Sequence, residues 1–341
     1  MRDSILELSA LRGISGREHA VRGYLIRQIE GIAPFEIDAL GNLLVHKKGQ
    51  QRPKNKVMLA AHMDEVGMLV SYVTDEGLIK FSTVGGINTA VLVGKAVEIG
   101  EGAVKGVIGL KPVHFLNAEE RKKLPERESL TIDIGTENRE QALELAQIGD
   151  EINFYSEALA FGEGYLKGPA LDDRAGCAVL LELIRSDLPY DLDFAFTVQE
   201  EVGARGAAVA AFGLAPDYAI VVETTTAADL PGIEAEKRVC LLGRGAAVPF
   251  MDLGTVYDRD LYRRALALAA ERGIAAQPKT QVAGGTDAGT IHKSRAGVKT
   301  LTVSIPCRYL HSPSCVIRES DAESVLQLVK ALAEEFAGVG G

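Results

Sequence analysis

The sequence predicts an α/β fold with a covered, mostly parallel sheet, interrupted by an inserted small β-barrel-like domain. Three observations carry that prediction. Strand-length apolar runs alternate with amphipathic helices towards both ends of the chain, the rhythm of a parallel sheet covered on both sides. Between residues 67 and 161 helical periodicity gives way to short β-type pieces cut by glycines, the texture of a small barrel or sandwich. The strands of the first pattern end at His, Asp or Glu, where ligands of open α/β sheets gather. The expected division is a discontinuous α/β domain of residues 1–66 plus 162–341 and a β-rich domain of residues 67–161.

Each element has its own warrant. Ser15 and Glu18 stand at capping-box spacing, ahead of a helical face of Val21, Leu25, Ile29 and Ile32. Residues 43–46 read as a short strand after the Gly41-Asn42 turn. Residues 57–61 are an unbroken apolar run, as in the middle of a covered sheet. In the insert, residues 78–84, 90–99 and 104–108 read as strands, and the charged stretch 119–129 as a solvated loop or short helix. A helix is predicted over 175–185, a strand over 194–198, a helix over 204–212 and a buried strand over 218–222. A further helix covers 261–272, and Leu301, Val303 and Ile305 alternate as on a strand. A second capping box, Ser320 to Glu323, opens a last helix whose Val325, Leu328, Val329, Leu332 and Phe336 share a face.

Composition narrows the function. At 341 residues, 47% hydrophobic and 25% charged, the chain suits a globular protein of about two domains. Its net charge of −10 disfavours a phosphate backbone, so no nucleic acid is expected as a partner. No run of about 18 apolar residues occurs, so no membrane partner is expected. The start has no apolar core, so no signal peptide is expected. Cys177, Cys240, Cys307 and Cys315 form no CxxC, which fits reduced thiols and a cytoplasmic location.

Five clusters carry the chemistry. They are His62-Met63-Asp64, Asp172-Asp173-Arg174, Glu200-Glu201, Glu223 and His311. Each has an ordinary explanation when taken singly: a surface pair, a helix start favoured by the dipole, a loop histidine. Together they are more telling. His62, Asp172, Glu201, Glu223 and His311 make a mixed nitrogen and oxygen set suited to two zinc- or cobalt-like ions sharing a carboxylate. Asp64, two residues beyond His62, is placed to fix the ring from behind. Glu200 is left beside a ligand, where a proton shuttle belongs. Thr286 and Asp287 are candidates to line the substrate pocket, Asp287 alternatively to pair a charge. His19, His46 and His292 read as surface residues, Cys307 and Cys315 as small buried hydrophobes, and His114 lies in the insert.

The order His-x-Asp, Asp-Asp-Arg-x-Gly, Glu-Glu-x-Gly, acid, Tyr-x-His-Ser resembles the M42 family of dinuclear metallo-aminopeptidases. The likeness spans nearly the whole chain. It includes Ser15-Gly16-Arg17-Glu18, Leu40-Gly41-Asn42, Val84-Gly85-Gly86, Lys111-Pro112-Val113-His114 and Gly284-Gly285-Thr286-Asp287-Ala288. The resemblance implies a zinc-peptidase type of sheet. It implies that His62 and Glu223 bind one ion, Glu201 and His311 the other, and Asp172 both, with a cis bond from Asp172 to Asp173. Glu200 would be the general acid/base and Asp64 the orienting residue. Two divalent ions, Zn²⁺ or Co²⁺, would activate a water that cleaves the N-terminal residue from a peptide. The insert would be a dimerisation domain, and the homo-oligomer a dodecamer built from dimers. One departure stands out: the family usually has Asp where this chain has Glu223, a change able to alter metal geometry or preference.

Two other functions compete. A dinuclear deacylase or amidohydrolase could use the same metals on N-acyl substrates, and a non-catalytic metal-stabilised assembly protein would show no turnover. An endoglucanase, a label some members of the family carry, is disfavoured by the histidine ligands and by the lack of Trp.

Overall fold

The computed structural model describes residues 1–338. The chain opens with helices α1 (Arg2–Ser9) and α2 (His19–Ile29), then β1 (Phe35–Ile37), β2 (Leu43–Lys47) and β3 (Val57–His62). No Ser15 capping box forms. Glu18 is itself the residue before α2, and its carboxylate accepts from the Gly16 N–H (2.7 Å) and the Gln199 N–H (3.2 Å). The sequence spacing was right for a local hydrogen bond, but Glu18 is drawn to the loop that carries Glu200.

The second part is a closed barrel. Its strands are β4 (Gly67–Val73), β5 (Ile79–Val84), β6 (Ala96–Ile99), β7 (Val104–Gly109), β8 (Thr131–Asp133) and β9 (Glu151–Phe154), in the order β4-β5-β8-β7-β6-β9. It has its own core, including Met68, Ile99, Ile132 and Ile152. Closure removes the free strand edges that such short strands would otherwise expose. Helix α3 (Thr89–Leu92) takes the first half of the predicted 90–99 strand. The Asn88 side chain accepts from the Ala90 N–H there, and this cap outweighs the β-type composition. Helix α4 (Arg139–Leu145) is capped in the same way by Asn138. Gly67 sits where the chain enters the barrel: a Cβ there would lie 2.1 Å from the Ile14 side chain.

The chain then returns through β10 (Leu159–Phe161) and β11 (Tyr165–Gly168) to the long helix α5 (Leu171–Arg185). Next come β12 (Leu192–Thr197), α6 (Arg205–Leu214), β13 (Tyr218–Thr226), β14 (Ala246–Pro249), α7 (Arg259–Glu271) and β15 (Ala276–Lys279). The chain closes with α8 (Ala288–Ile291), β16 (Lys299–Arg308), β17 (Cys315–Arg318) and α9 (Glu319–Gly338). The Ser320 capping box does not form, because α9 begins at Glu319 and Ser320 is already helical.

These strands make one large mixed sheet of order β1-β2-β12-β3-β13-β16-β17-β11-β10, with β14 and β15 branching from β16. Its centre is parallel: β12 with β3, β3 with β13, and β13 with β16. The flanks are antiparallel, through β2 on one side and β17 on the other. The central parallel strands were visible, β3 and β13 as apolar runs and β12 and β16 as alternating apolar residues. Of the flanking ones, β2 was read as a short strand at 43–46, while β1, β10, β11 and β17 are short and were not. Every residue of β3 is buried, so both faces of the sheet centre are covered. Helices α1 and α9 pack on α5, which lies against β3 and β13, while α6 and α8 pack together. No helix among the described residues is long and apolar enough to cross a membrane.

Candidate metal centre

The sheet brings the five clusters to one place. His62 is the last residue of β3. Glu200 and Glu201 follow β12, which pairs in parallel with β3. Glu223 lies inside β13, not after it as its sequence suggested, opposite Ser304 of β16. Asp172 opens α5, and His311 comes from the β16–β17 connection. The peptide between Asp172 and Asp173 is cis.

Asp172 stands between the two histidines. His62 Nε2 lies 3.4 Å from its Oδ1, and His311 Nε2 lies 3.4 Å from its Oδ2. Each histidine faces a second carboxylate: His62 Nε2 is 3.2 Å from Glu223 Oε1, and His311 Nε2 is 3.3 Å from Glu201 Oε1. The other ring nitrogens are engaged. Nδ1 of His62 donates to the Asp64 carbonyl (3.0 Å), and Nδ1 of His311 donates to the Gly86 carbonyl in the insert (2.7 Å). Both histidines therefore turn Nε2 towards the carboxylates.

A cation fits this donor set. His62 Nε2, Asp172 Oδ1 and Glu223 Oε2 are buried without hydrogen-bond partners, and orphaned buried polar atoms are costly unless something compensates them. Among the described residues, two groups could hold an ion: His62 with Asp172 and Glu201, and His62 with Asp173 and Glu223. Asp173 was absent from the predicted ligand set. One of its oxygens accepts from the Gly176 N–H (3.1 Å), while Oδ2 is buried and unpartnered. Adjacent acids in the sequence were the available signal for it. A Cβ on Gly176 would come within 2.4 Å of that carboxylate, so the helix start leaves just enough room for it.

The electrostatics point the same way. Burial, with Asp172 nearby, pushes Glu201 up to about 7, and burial with Asp172 and Asp287 pushes Glu223 up to about 8. Asp173 is raised well above the usual carboxylate range by burial and Glu223. Burial pulls the histidines down, but Glu223, Asp172 and Asp64 outweigh it at His62 and hold it well above normal. Asp172 and Glu201 likewise hold His311 up at about 10. Crowded carboxyls that keep protons in the absence of a cation give them up to water when one binds.

Asp64 does more than the sequence suggested. Its carboxylate is 3.5 Å from His62 Nδ1, longer than the bond from that nitrogen to the Asp64 carbonyl. Its shorter contacts are with the Ser15 hydroxyl (2.6 Å) and the N–H groups of Glu200 (2.9 Å) and Glu201 (3.1 Å). It therefore anchors the loop bearing the two glutamates. Asn42 supports the same loop, accepting from the Val198 N–H (3.0 Å) and donating to the Gly206 carbonyl (2.9 Å). Arg174, fully buried, donates to the Met63, Leu8 and Leu11 carbonyls and faces Glu65, fixing the chain around Asp64. Ala170, Gln199 and His311, each at or just before a site residue, have positive φ of 50°, 58° and 56°, a strain of about 1–3 kcal/mol each that such sites characteristically hold.

A cavity of about 520 Å³ opens beside the cluster, lined by Asp172, Glu200, Glu201, Glu223, His311 and Thr286 among others. Asp287 is fully buried and accepts from the Thr197 hydroxyl (2.5 Å). His46 pairs with Asp193 and His292 with the Ala288 carbonyl, while Cys307 and Cys315 are buried and free.

Residues 41–328 match the family model of the M42 glutamyl aminopeptidase. The chain belongs to the M42 peptidase family. Its members are aminopeptidases, hydrolases acting on peptide bonds, and this chain is an enzyme of that class. It is 32% identical to the lysyl aminopeptidase of Pyrococcus furiosus, over 95% of this chain and 94% of that protein. It is 32% identical to the glutamyl aminopeptidase of Lactococcus lactis, over 97% and 95%. Among solved structures, an aminopeptidase from Desulfurococcus kamchatkensis superposes with a TM-score of 0.92, at 32% identity over 98% of this chain and 94% of that one. The Pyrococcus horikoshii TET1 peptidase, which can assemble into a tetrahedron or a large octahedral shell, gives 0.85 at 35% identity over 98% and 99%.

Proposed function

We propose that this M42 enzyme is a dinuclear metal-dependent aminopeptidase that removes N-terminal residues from peptides. The observation that carries the reading is Asp172, whose two carboxylate oxygens each face a different histidine at 3.4 Å. His62 and Glu223 would hold one ion, His311 and Glu201 the other, and Asp172 both. Two divalent ions there would supply Lewis acidity at the scissile carbonyl and acidify water. Zn²⁺ and Co²⁺ both suit mixed imidazole and carboxylate donors.

The protein's own residues perform the proton transfers. Glu200 lines the cavity beside the cluster. Burial, Glu223, Asp287 and Glu201 raise its affinity for a proton, as a carrier working near neutrality requires. It takes a proton from water as the oxygen adds to the scissile carbonyl carbon. It returns that proton to the peptide nitrogen as the C–N bond breaks, releasing an amino acid and a peptide shorter by one residue. Asp64 keeps Glu200 in reach by holding its N–H.

The insert is proposed as the dimerisation domain, with boundaries 67–161, and dimers as the unit of a larger shell like that of TET1. Exposed Val113, Phe115 and Leu124 in the insert support it. A cytoplasmic location fits the four free cysteines.

The test is a panel of aminoacyl-p-nitroanilides, free and N-acetylated, on metal-stripped protein refilled with Zn²⁺ or Co²⁺. Release from free substrates alone, dependent on metal, supports the aminopeptidase. Cleavage of acetylated substrates alone transfers the reading to a deacylase. Glu200→Gln should lose about 10²–10⁴-fold in kcat while binding both ions. If it keeps wild-type turnover, Glu200 does not carry the proton.

A further inference from the structure

A charged group in the substrate cavity is used by nothing described so far. Lys279, at the end of β15, is 3% exposed and lines the cavity that holds the carboxylate cluster. Its Nζ donates to the Ala283 carbonyl (2.7 Å). That occupies one of three N–H donors. Among the described residues no carboxylate lies within ion-pair distance of it. A lysine this buried is nearly always paired, and an ammonium without a counter-ion is costly. Burial lowers its pKa, a penalty that a bound anion would relieve.

The neighbours suit an anion. The Thr224 hydroxyl is buried without a partner and its residue lines the same cavity. Lys293, exposed, adds a second positive charge to the lining. The topology sets the spacing. β13, which bears Glu223, is separated from β15 by β16 and β14. Three strand steps place the two backbones roughly 14 Å apart, with room between their side chains for that of a substrate residue.

We infer that Lys279 is a specificity-determining residue that selects an acidic N-terminal side chain, glutamate or aspartate, at this site. The inference rests on the aminopeptidase reading. Family membership does not supply it, since the similar proteins include both a glutamyl and a lysyl enzyme. A basic side chain would be repelled by Lys279. An apolar one would bury the ammonium without a counter-ion. A carboxylate accepts its two remaining donors and the Thr224 hydroxyl.

The experiment compares Glu-, Asp-, Gln-, Leu- and Lys-p-nitroanilide on the metal-loaded full-length enzyme. Glutamate and glutamine are near-isosteric, so their ratio isolates the charge. Wild type is expected to favour Glu over Gln at least tenfold in kcat/KM. Lys279→Met should collapse that ratio by at least tenfold, and Lys279→Arg should keep most of it. Glu and Gln turned over equally by wild type, or Lys279→Met lowering every substrate alike, overturns the inference. Absence of turnover on all free substrates is a failure of the aminopeptidase reading instead. Titration calorimetry with L-glutamate and L-glutamine then decides separately. Tighter glutamate binding that Lys279→Met abolishes upholds the acidic pocket, and equal binding removes it.

Discussion

Asp64→Asn puts the support of the site under direct test. The native carboxylate is fully buried and serves Ser15, Glu200 N–H and Glu201 N–H on two oxygens. Asparagine keeps one acceptor oxygen and replaces the other with an NH₂. The Ser15 hydroxyl can rotate to accept from it, but the backbone N–H groups cannot. Whichever way the amide turns, the N–H of Glu200 or of Glu201 faces another donor. An unsatisfied buried N–H costs about 1–3 kcal/mol, and replacing charged by neutral hydrogen bonds costs about 1 kcal/mol for each that survives. The expected loss is about 3–5 kcal/mol of stability. The same change loosens Glu200 and Glu201, so metal affinity should fall about 10–100-fold, the usual effect of removing a partner behind the ligands. Denaturant titration of the metal-free protein and chelator competition of the loaded one measure the two. A variant within about 1 kcal/mol of wild type, with unchanged metal affinity, would refute the idea that Asp64 holds the glutamate loop.

Two further outcomes follow from the site. For the metal-free protein, Glu201 and Glu223 hold folded pKa values of about 7 and 8, above the unfolded value of 4.5. The native state therefore keeps protons that the unfolded state releases, and stability falls as pH rises from about 5 through 8. His311, raised to about 10 from 6.5, contributes stability that is full below 6.5 and lost as pH rises towards 10, in the same direction. Melting of metal-free protein should drop by roughly 5–10 °C between pH 5.5 and 8.5, while Zn²⁺-loaded protein stays flat or rises because binding releases those protons; parallel curves contradict this. Gly176→Ala should cost about 2–3 kcal/mol and at least tenfold in metal affinity, since its Cβ would press on the Asp173 carboxylate at 2.4 Å; thermal shift and metal stoichiometry of purified protein check it.

The sequence was legible where one physical rule dominated. Unbroken apolar residues 57–61 and 218–222 could only be buried strands, and a histidine or acid beside each had to be paid attention as a polar group at a covered sheet. Longer-range competition hid the rest. Glu18 had the spacing of a capping residue, but the Gln199 N–H, 181 positions away, claims part of its carboxylate. Residues 90–99 had β-type composition, yet Asn88 caps a turn of helix there. Asp64 looked like a partner for the His62 ring because the two are sequence neighbours, and its stronger bonds reach Ser15 and the Glu200 loop. Asp173 was masked by the good local explanation of an acid at a helix start, which it also fulfils. Lys279 gave no signal, since its burial depends on where β14 and β15 leave the main sheet.

The bond from His311 Nδ1 to the Gly86 carbonyl ties the barrel to the metal centre. Through Gly86 the insert also contributes to the lining of the cavity. Gly86 keeps a proton on Nδ1 of His311 and fixes which way Nε2 points. A rotation of the barrel on its two connecting segments would move that carbonyl and re-aim the ring. The angle between barrel and sheet thus becomes a setting of the centre, and anything that clamps neighbouring barrels together also holds His311 at one bearing.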